Sequence, residues 1–600
     1  MANSTANKKK KNKSEKGSKS LYIVEENIYG RGFSDDQSIE FALMEFLAFL
    51  FGLEMIDGYS SRLESVGHMM SLPDKPKIYS SIGQAQLLRR ILYDNAILNS
   101  QFIQNHSTSD IWEIWRDYYL DIHPDKYNEN YKDKFSKYVD SLKHCFTDEE
   151  TEDPIDAFKR FFTVVDILRA NTYDYTSDKS WYVKILFPFS SKSLFYEGSP
   201  TEVTEKKNSK EQSQPGEKLN VGTNFFRGQG HSILAMLALS SSDEKKQEIE
   251  KKLSNLLEKE YVFAKAVRLI SGDCLEEHEW TVLNEDKNIK SLRYFPIESK
   301  KDCQEIFDNL ADDFLTILNL NVSFNKKIRL LTLISSLYIY IYLLRRSYSV
   351  IYRYDNKCTE PYIPLVFGNC ELKSISRDKY SYSSNIITLA VRNWLLYSIN
   401  EKVQHGQYAS LKIYVDEPTL KFSDSNDAVI QFKQLISSII YPNGKNEKDI
   451  ENIAENCQTF QDLLSSCTYN LRQRRNSSKI VSDNMCNKIA KSIGLVTGPN
   501  NYLHYAITDE LLEAVVISSC KQRYMQHSTF LDLLFKKFRM VVSVDLFKEI
   551  KVAEQSASSV DVDKIKKNEQ LLQNRLKDLG LCKELSDARF YYIFNPYISD

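Results

Sequence analysis

LLTLISSLYIYIYLL, residues 330–344, is the most apolar stretch of the sequence, and it lies between Arg329 and Arg345. Its fifteen residues, which include one threonine, two serines and three tyrosines, are too few to cross about 30 Å of hydrocarbon as a helix. A helix that is apolar on nearly every face is typical of the centre of a large helical domain. The stretch therefore predicts such a central helix, and no membrane association is expected.

The composition favours helix around this centre. The chain of 600 residues has 19 Gly and 14 Pro, which is about half of the usual share of these turn-forming residues. Apolar residues make up 42% of the chain and aromatic residues 12%, enough to fill several cores. The net charge of −2 excludes a protein that coats nucleic acid by its overall charge, so any anion-binding site must be local. We expect a mainly α, multi-domain protein.

Shifts in composition divide the chain into five predicted parts. The first is a lysine-rich leader with no apolar run after it, which indicates a disordered tail and not a secretion signal. A second polar stretch has almost no apolar side chains and predicts a flexible linker. The parts are a disordered basic tail (1–20), a helical N-terminal domain (21–198), a flexible linker (199–220), a central helical domain (221–480) and a C-terminal module (481–600).

Two short runs interrupt the helical periodicity of the central domain. IPLVF (363–367) and LKIYV (411–415) are rich in β-branched and aromatic residues, so they predict a few strands near 360–415. The ten cysteines of the chain include no CxxC pair, which indicates reduced thiols in a cytoplasmic protein and no zinc ribbon. No cofactor is expected.

The C-terminal module has the clearest order of helix signals. Thr508 and Ser528 each stand where a helix N-cap belongs, so two short helices are predicted there. A third helix, predicted over residues 563–579, carries a stripe of leucines and ends before Gly580, which is placed for a left-handed C-cap. LCKEL and RFYYIF then flank a tight turn and predict a β-hairpin. Helix, helix, helix and hairpin is the order of a winged-helix domain, a variant of the helix-turn-helix.

Ten basic residues in and near this module are candidates for phosphate contacts with duplex DNA. Five lie on the third helix away from the leucines, one lies at the hairpin, and four form a basic strip upstream of the module. They are Lys564, Lys566, Lys567, Arg575, Lys577, Arg589, Arg472, Arg474, Arg475 and Lys479. Acidic neighbours dilute this charge, and many winged helices bind protein instead. A protein-interaction module therefore stays open as the alternative.

Several stretches of the second half carry a resemblance to a known group of proteins. They are IAKSIGLVTGPNNYLHYAITDELLEAVV (489–516), FLDLLFKKFRMVVS (530–543), NEQLLQNRLKDLGLCKELSDARFYYIFNPY (568–597), KIRLLTLISSLYIYIYLL (327–344) and CELKSISRDKYSYSSNIITLAVRNWL (370–395). The sequence resembles large accessory proteins of bacterial anti-phage defence operons, which travel with HerA/FtsK-type ATPases and resemble subunits of phosphorothioation-dependent restriction systems. The resemblance implies a non-enzymatic, DNA-contacting or scaffolding subunit whose chemistry belongs to a partner ATPase or nuclease.

One motif supports an enzymatic alternative. Glu371 and Lys373 follow the predicted strand IPLVF, and a Glu-x-Lys on a strand with an earlier acid such as Asp355 is the metal-binding layout of restriction-type nucleases. The carboxylates would hold Mg²⁺, and the lysine would position or activate water. An acid two positions before a lysine also arises by chance in a chain that is 27% charged. The nuclease is therefore the second hypothesis.

A glycine-rich turn opens an apolar helix at residues 228–232 (GQGHS). A turn of this kind at a helix N-terminus can bind an anion. The turn lacks the Lys-Ser/Thr pair of a P-loop and the third glycine of a dinucleotide fingerprint, so neither ATP nor NAD is predicted. Packing is the expected reason for the glycines.

Overall fold

The computed structural model of the chain describes seventeen segments of the sequence. They are residues 25, 27–30, 38–52, 57–71, 78–81, 228–258, 289–292, 297–353, 358–368, 370–404, 408–422, 427–440, 457–472, 481–499, 502–553, 562–584 and 591–598. The predicted tail (1–20), the predicted linker (199–220) and the N-terminal domain beyond residue 81 lie outside these residues.

Helices dominate the residues that the structure describes, which confirms the predicted mainly α class. A one-turn 3-10 helix (Ala409–Leu411) leads into α8. The helices are α1 (Ile39–Gly52), α2 (Arg62–Met70), α3 (Gln229–Ala238), α4 (Asp243–Glu258), α5 (Ile297–Asn319), α6 (Phe324–Tyr352), α7 (Cys370–Gln404), α8 (Lys412–Asp416), α9 (Asp427–Ile440), α10 (Phe460–Arg472), α11 (Val481–Ser492), α12 (Asp509–Ser519), α13 (His527–Phe538), α14 (Val544–Ala553) and α15 (Val562–Asp578).

The strands in the described part of the chain are short and form four small sheets. They are β1 (Ile78–Ser81), β2 (Ile289–Leu292), β3 (Ile363–Pro364), β4 (Val496–Thr497), β5 (His504–Tyr505), β6 (Tyr524–Gln526), β7 (Met540–Val541), β8 (Cys582–Glu584) and β9 (Tyr591–Phe594). β1 pairs with β2 and β4 with β5 in antiparallel ladders, whereas β3 and β7 are parallel. The remaining strands form an antiparallel sheet in the order β6–β9–β8.

α6 is the predicted central helix, and it extends beyond the apolar run at both ends. It begins after Ser323, whose hydroxyl accepts a hydrogen bond from the backbone N–H of Lys326 at 3.4 Å. Its 29 residues are long and apolar enough to cross a membrane, unlike the fifteen-residue run alone. However, 83% of its most apolar window is buried inside the protein, against helices that include α1, α5 and α7. α6 therefore has the burial of a core helix.

The glycine-rich turn at residues 228–232 packs α3 directly against α1. A Cβ at Gly230 would overlap the backbone of Ala42 and Phe46, so only glycine allows this approach. The Glu45 carboxylate accepts hydrogen bonds from the backbone N–H groups of Gly228, at 3.0 Å, and of Gly230, at 2.9 Å. The anion at this helix N-terminus is thus a side chain of the protein itself, and the expected packing role of Gly230 is confirmed.

One large core joins the central helices to the C-terminal elements. Its buried members extend from Ile28 to Ile593. Inside it, the hydroxyls of Tyr340 on α6 and Tyr505 on β5 are 2.8 Å apart and hydrogen bonded. The segments on either side of residue 480, where the sequence predicts a domain boundary, therefore share one core.

The strands predicted near 360–415 form only in part. The first run contributes only Ile363 and Pro364 as β3, and its partner is β7, from the C-terminal part of the chain. The prediction of a strand at 411–415 is wrong, because this run is the end of the 3-10 helix followed by α8. A short apolar run does not by itself distinguish strand from helix, and here only Leu411 is fully buried while Ile413 is 56% exposed.

Candidate nucleic-acid interface

The C-terminal elements follow one another as α12, β6, α13, β7, α14, α15, β8 and β9. The Thr508 hydroxyl caps α12 by accepting a hydrogen bond from the backbone N–H of Leu511, as predicted. The predicted cap at Ser528 is wrong. α13 begins at His527, so Ser528 lies inside the helix and Gln526 is at the N-cap position. α14 is an additional helix that the predicted three-helix layout lacks.

α15 ends at the predicted glycine and leads directly into the sheet. Gly580 has φ 70°, the left-handed conformation that glycine adopts without strain. The backbone N–H of Leu581 donates to the carbonyl of Leu576 at 2.8 Å, which closes the helix end. β8 and β9 then pair in register, with Lys583 opposite Tyr592. The left-handed glycine and the capping hydrogen bond therefore end α15 immediately before β8.

α15 has one buried face and one exposed face. Ile565, Leu572 and Leu576 are at most 2% exposed and pack into the core, together with the fully buried Asn568. The opposite face presents Lys566, Lys567, Gln570 and Asn574, all of them exposed. Neither of these two lysines forms an ion pair with any residue that the structure describes. The exposed face thus combines two cationic groups with two amide side chains, and Asp563 and Asp578 are exposed at its two ends.

Asn568 fixes the rotation of α15 about its own axis. Its side-chain oxygen accepts a hydrogen bond from the backbone N–H of Phe367 at 2.6 Å, and its side-chain nitrogen donates to the Leu365 carbonyl at 2.9 Å. Both backbone groups are thereby satisfied in a buried position. The contact joins residues 201 positions apart, and it turns Lys566 and Lys567 away from the protein.

Arg575 is held by the protein itself. Its Nε donates to the Asp509 carboxylate at 2.5 Å, and its guanidinium carbon lies 5.8 Å from the centre of the Phe367 ring. Lys564 and Lys577, also predicted to contact phosphates, are half-buried. Of the five predicted cations on this helix, Lys566 and Lys567 are therefore the exposed pair.

The structure does not show where the side chains of the remaining predicted contacts lie. Arg474, Arg475, Lys479 and Arg589 lie outside the described residues, and Arg472 is described only as the last residue of α10. Sequence reasoning missed the amides Gln570 and Asn574. It also missed a group of aromatic and basic side chains on the sheet, although the alternation of Tyr592, Ile593 and Phe594 is typical of a strand with one outward face.

A second candidate site is a cleft of about 180 Å³ between α5, α6 and the corner where α13 meets β7. Arg345 and Arg539 both pair with the Glu360 carboxylate at its mouth. Arg539 has φ 55° and is the one non-glycine residue with a positive φ in the described part of the chain. Burial lowers the pKa of Arg539; Glu360 raises this pKa and Arg345 lowers it further.

Each of two carboxylates around this cleft pairs with two guanidinium groups. Asp302 lies 2.6 Å from the nearest guanidinium nitrogen of Arg346 and 2.8 Å from that of Arg353. Among the residues that the structure describes, no three His, Cys, Asp or Glu side chains are grouped closely enough to hold a metal ion. The cleft is therefore lined by ion pairs, and those of Glu360 connect α6 to the end of α13.

The strand setting predicted for Glu371 and Lys373 in a Mg²⁺-dependent nuclease is wrong. Glu371 and Lys373 lie in the first turn of α7, a helix, and not on a strand. Asp355 lies outside the described residues. Positions two apart on a helix lie about 200° apart around its axis, whereas on a strand they share a face.

Comparisons with known proteins identified no relative of this chain. No protein-family model matches the chain, no curated protein matches it, and no solved structure matches it.

Proposed function

We propose that the C-terminal elements form a winged-helix module and that α15 binds duplex DNA through its exposed face. The observation that carries the proposal is the position of Lys566, Lys567, Gln570 and Asn574 on the side of α15 opposite its buried face. The resemblance to accessory proteins of anti-phage defence operons favours a non-catalytic subunit that acts beside an ATPase or nuclease in the cytoplasm.

The order of elements supports the winged-helix assignment. A helix-turn-helix places its last helix in the major groove, and in the winged variant a β-hairpin follows that helix. Here α13, α14 and α15 precede the hairpin of β8 and β9, and β6, between α12 and α13, pairs with β9 as a third strand. α15 is therefore the helix that the module would present to DNA.

The side chains on the exposed face suit both parts of DNA recognition. Lysine ammonium groups bind backbone phosphates and supply affinity that depends strongly on salt. Glutamine and asparagine side chains can each make two hydrogen bonds to adenine in the major groove. Gln570 and Asn574 are four residues apart and so share one face of α15, with Lys566 one turn before Gln570.

A binding titration of the full chain tests the proposal. The probe is a fluorescently labelled duplex of random sequence, measured by anisotropy over a series of salt concentrations. In the Lys566→Ala/Lys567→Ala variant we expect weaker binding to every sequence and a salt slope reduced by about one per lysine removed. Gln570→Ala and Asn574→Ala should mainly change the preference among sequences selected from a random pool.

The matched control removes two exposed lysines from distant helices. Lys301 on α5 and Lys402 on α7 are exposed in the structure, so Lys301→Ala/Lys402→Ala makes the same change in net charge. If this control weakens duplex binding as much as the α15 variant does, or if neither variant changes it, the assignment of α15 is wrong. A folded chain that binds no duplex at low salt would favour a protein-binding scaffold instead.

A further inference from the structure

The outward face of the β6–β9–β8 sheet carries aromatic rings and cations side by side. Tyr524 on β6 is directly opposite Phe594 on β9, with their ring centres 5.4 Å apart and the ring planes 36° apart. Tyr524 is 41% exposed. On the other face of the same strands, Ile593 is fully buried and Cys582 is 6% exposed. The two rings therefore lie on the side of the sheet that faces away from the core.

Two cations lie against these rings. The guanidinium carbon of Arg523 is 5.6 Å from the centre of the Tyr524 ring and 5.5 Å from that of Phe594. The Lys583 ammonium nitrogen is 4.3 Å from the centre of the Phe594 ring. Lys583 is opposite Tyr592 in the ladder, so its side chain projects from the same face as the rings. Positive charge thus lines this aromatic surface on two sides.

The sheet is anchored without these rings. Asn595 follows β9, and its side-chain nitrogen donates to the carbonyls of Ile517, at 3.3 Å, and Cys520, at 3.1 Å. The Asn595 backbone N–H donates to the Arg523 carbonyl at 3.0 Å. β6 and β9 are therefore held from the core side and by the backbone, which leaves the exposed part of the Tyr524 ring available to a ligand.

We propose that this sheet face binds unpaired bases of single-stranded DNA. Flat aromatic side chains stack on bases of any sequence, and neighbouring arginine and lysine side chains attract the backbone phosphates. Tyr524, the more exposed of the two rings, is the platform for a base, and Arg523 and Lys583 lie beside the rings where they could reach the flanking phosphates. The choice of DNA over RNA rests on the proposed function of α15, whereas the stacking argument does not depend on it.

The test uses the full chain and a labelled 20-nucleotide oligothymidylate, which has no duplex structure of its own. We expect salt-dependent binding that weakens about 5-fold or more in Tyr524→Leu and further in Tyr524→Leu/Phe594→Leu, because leucine preserves apolar volume but removes the flat ring. The matched control Tyr524→Phe keeps the ring and should bind like the wild type. Because Tyr524 is 41% exposed and does not belong to the hydrophobic core, the single Tyr524→Leu change should leave the core intact even if the double variant does not fold.

Arg523→Gln and Lys583→Gln test the cations separately. Each should reduce the dependence of oligothymidylate binding on salt, since one fewer phosphate contact releases fewer ions. Wild-type binding by Tyr524→Leu, or no binding of the oligonucleotide by the wild type, would overturn the stacking proposal. Tighter binding of an oligouridylate of the same length would overturn the choice of DNA.

The same measurements separate this proposal from that for α15. Lys566→Ala/Lys567→Ala should weaken duplex binding and leave oligothymidylate binding unchanged, whereas Tyr524→Leu should do the reverse. Loss of both activities in Lys566→Ala/Lys567→Ala would contradict a separate site on the sheet. If Lys566→Ala/Lys567→Ala loses neither activity, duplex binding by α15 is contradicted and the stacking proposal is not affected.

Discussion

The Lys537 ammonium group, in the last turn of α13, forms a buried ion pair with the Asp313 carboxylate on α5. The Asp313 side chain is fully buried, and that of Lys537 is 8% exposed. The Tyr338 hydroxyl on α6 donates a 2.7 Å hydrogen bond to the same carboxylate. Burial raises the pKa of Asp313 above its ordinary value, although Lys537 and Tyr338 act to lower it. The pair thus connects the C-terminal elements to two central helices.

Removing one partner of this pair should destabilise the protein strongly. In Lys537→Met the Asp313 carboxylate remains buried without its counter-charge, which costs about 3–5 kcal/mol in comparable sites. The double variant Asp313→Asn/Lys537→Met removes both charges and should recover much of the loss. Urea denaturation at neutral pH measures both variants. A single variant as stable as the wild type would show that the pair does not hold α13 in place.

His527 should make stability depend on pH in a window below neutrality. Burial lowers the pKa of His527 from the ordinary 6.5 to about 4. Its nearest carboxylate, Glu569, is 3.8 Å from Nδ1, and burial together with Asp545 raises the pKa of Glu569. Above pH 6.5 the imidazole is neutral whether the chain is folded or not. As the pH falls from 6.5 towards 4, the unfolded chain binds the proton and the folded chain does not, so stability is lost.

The variant His527→Gln isolates this contribution. Between about pH 7 and about pH 5 the wild type should lose about 2 kcal/mol more of its free energy of unfolding than the variant, since each pKa unit is worth about 1.4 kcal/mol. Urea denaturation at the two pH values gives the difference, in which the contributions of groups that do not contact His527 cancel. Equal losses in both proteins would show that His527 is protonated in the folded state.

The close approach of α1 and α3 should not tolerate a side chain at Gly230. An alanine Cβ there overlaps the backbone of Ala42 and Phe46, which belongs to a helix and does not move aside easily. Overpacking of this kind costs about 1–3 kcal/mol, so Gly230→Ala should lower the midpoint of denaturation. Ser241→Ala, at an exposed position between α3 and α4, is the control and should change stability by about 0.5 kcal/mol or less. A stable Gly230→Ala variant would contradict the direct packing.

Local signals made much of the helical layout predictable from the sequence. The apolar run 330–344 predicts α6 because no face of the helix is polar, and Thr508 and Gly580 predict helix ends because each satisfies the backbone locally. A helix boundary depends on a few neighbouring residues, and those are visible in the sequence.

The face that α15 exposes could be predicted only in part. The leucine stripe predicts which side is buried, but the contact of Asn568 with Phe367 joins positions 201 residues apart. β6 has three residues, too few for a periodic pattern, so its pairing with β9 was not predictable. The ion pair of Arg575 with Asp509 likewise depends on how the two helices meet, and it removes one predicted cation from the surface.

That ion pair predicts that the basic residues of α15 contribute unequally to duplex binding. Arg575 already has Asp509 as a counter-charge, so Arg575→Ala should weaken duplex binding less than Lys567→Ala does. It should also cost up to about 1 kcal/mol of stability, the upper end for a partly exposed ion pair. Anisotropy with the duplex probe and urea denaturation measure the two effects on the same protein samples.

Releasing Arg575 should have the opposite effect on binding. In Asp509→Asn the guanidinium loses its anionic partner and becomes available for one additional phosphate contact. The duplex affinity should therefore rise, and the salt slope should become steeper by about one. Asp509 also lies in the first turn of α12, where an acid is favourable, so a small loss of stability should accompany the gain. The double variant Asp509→Asn/Arg575→Ala should return the salt slope to that of Arg575→Ala. If Asp509→Asn leaves duplex binding unchanged while Lys567→Ala weakens it, Arg575 points away from the bound DNA and only supports the helix.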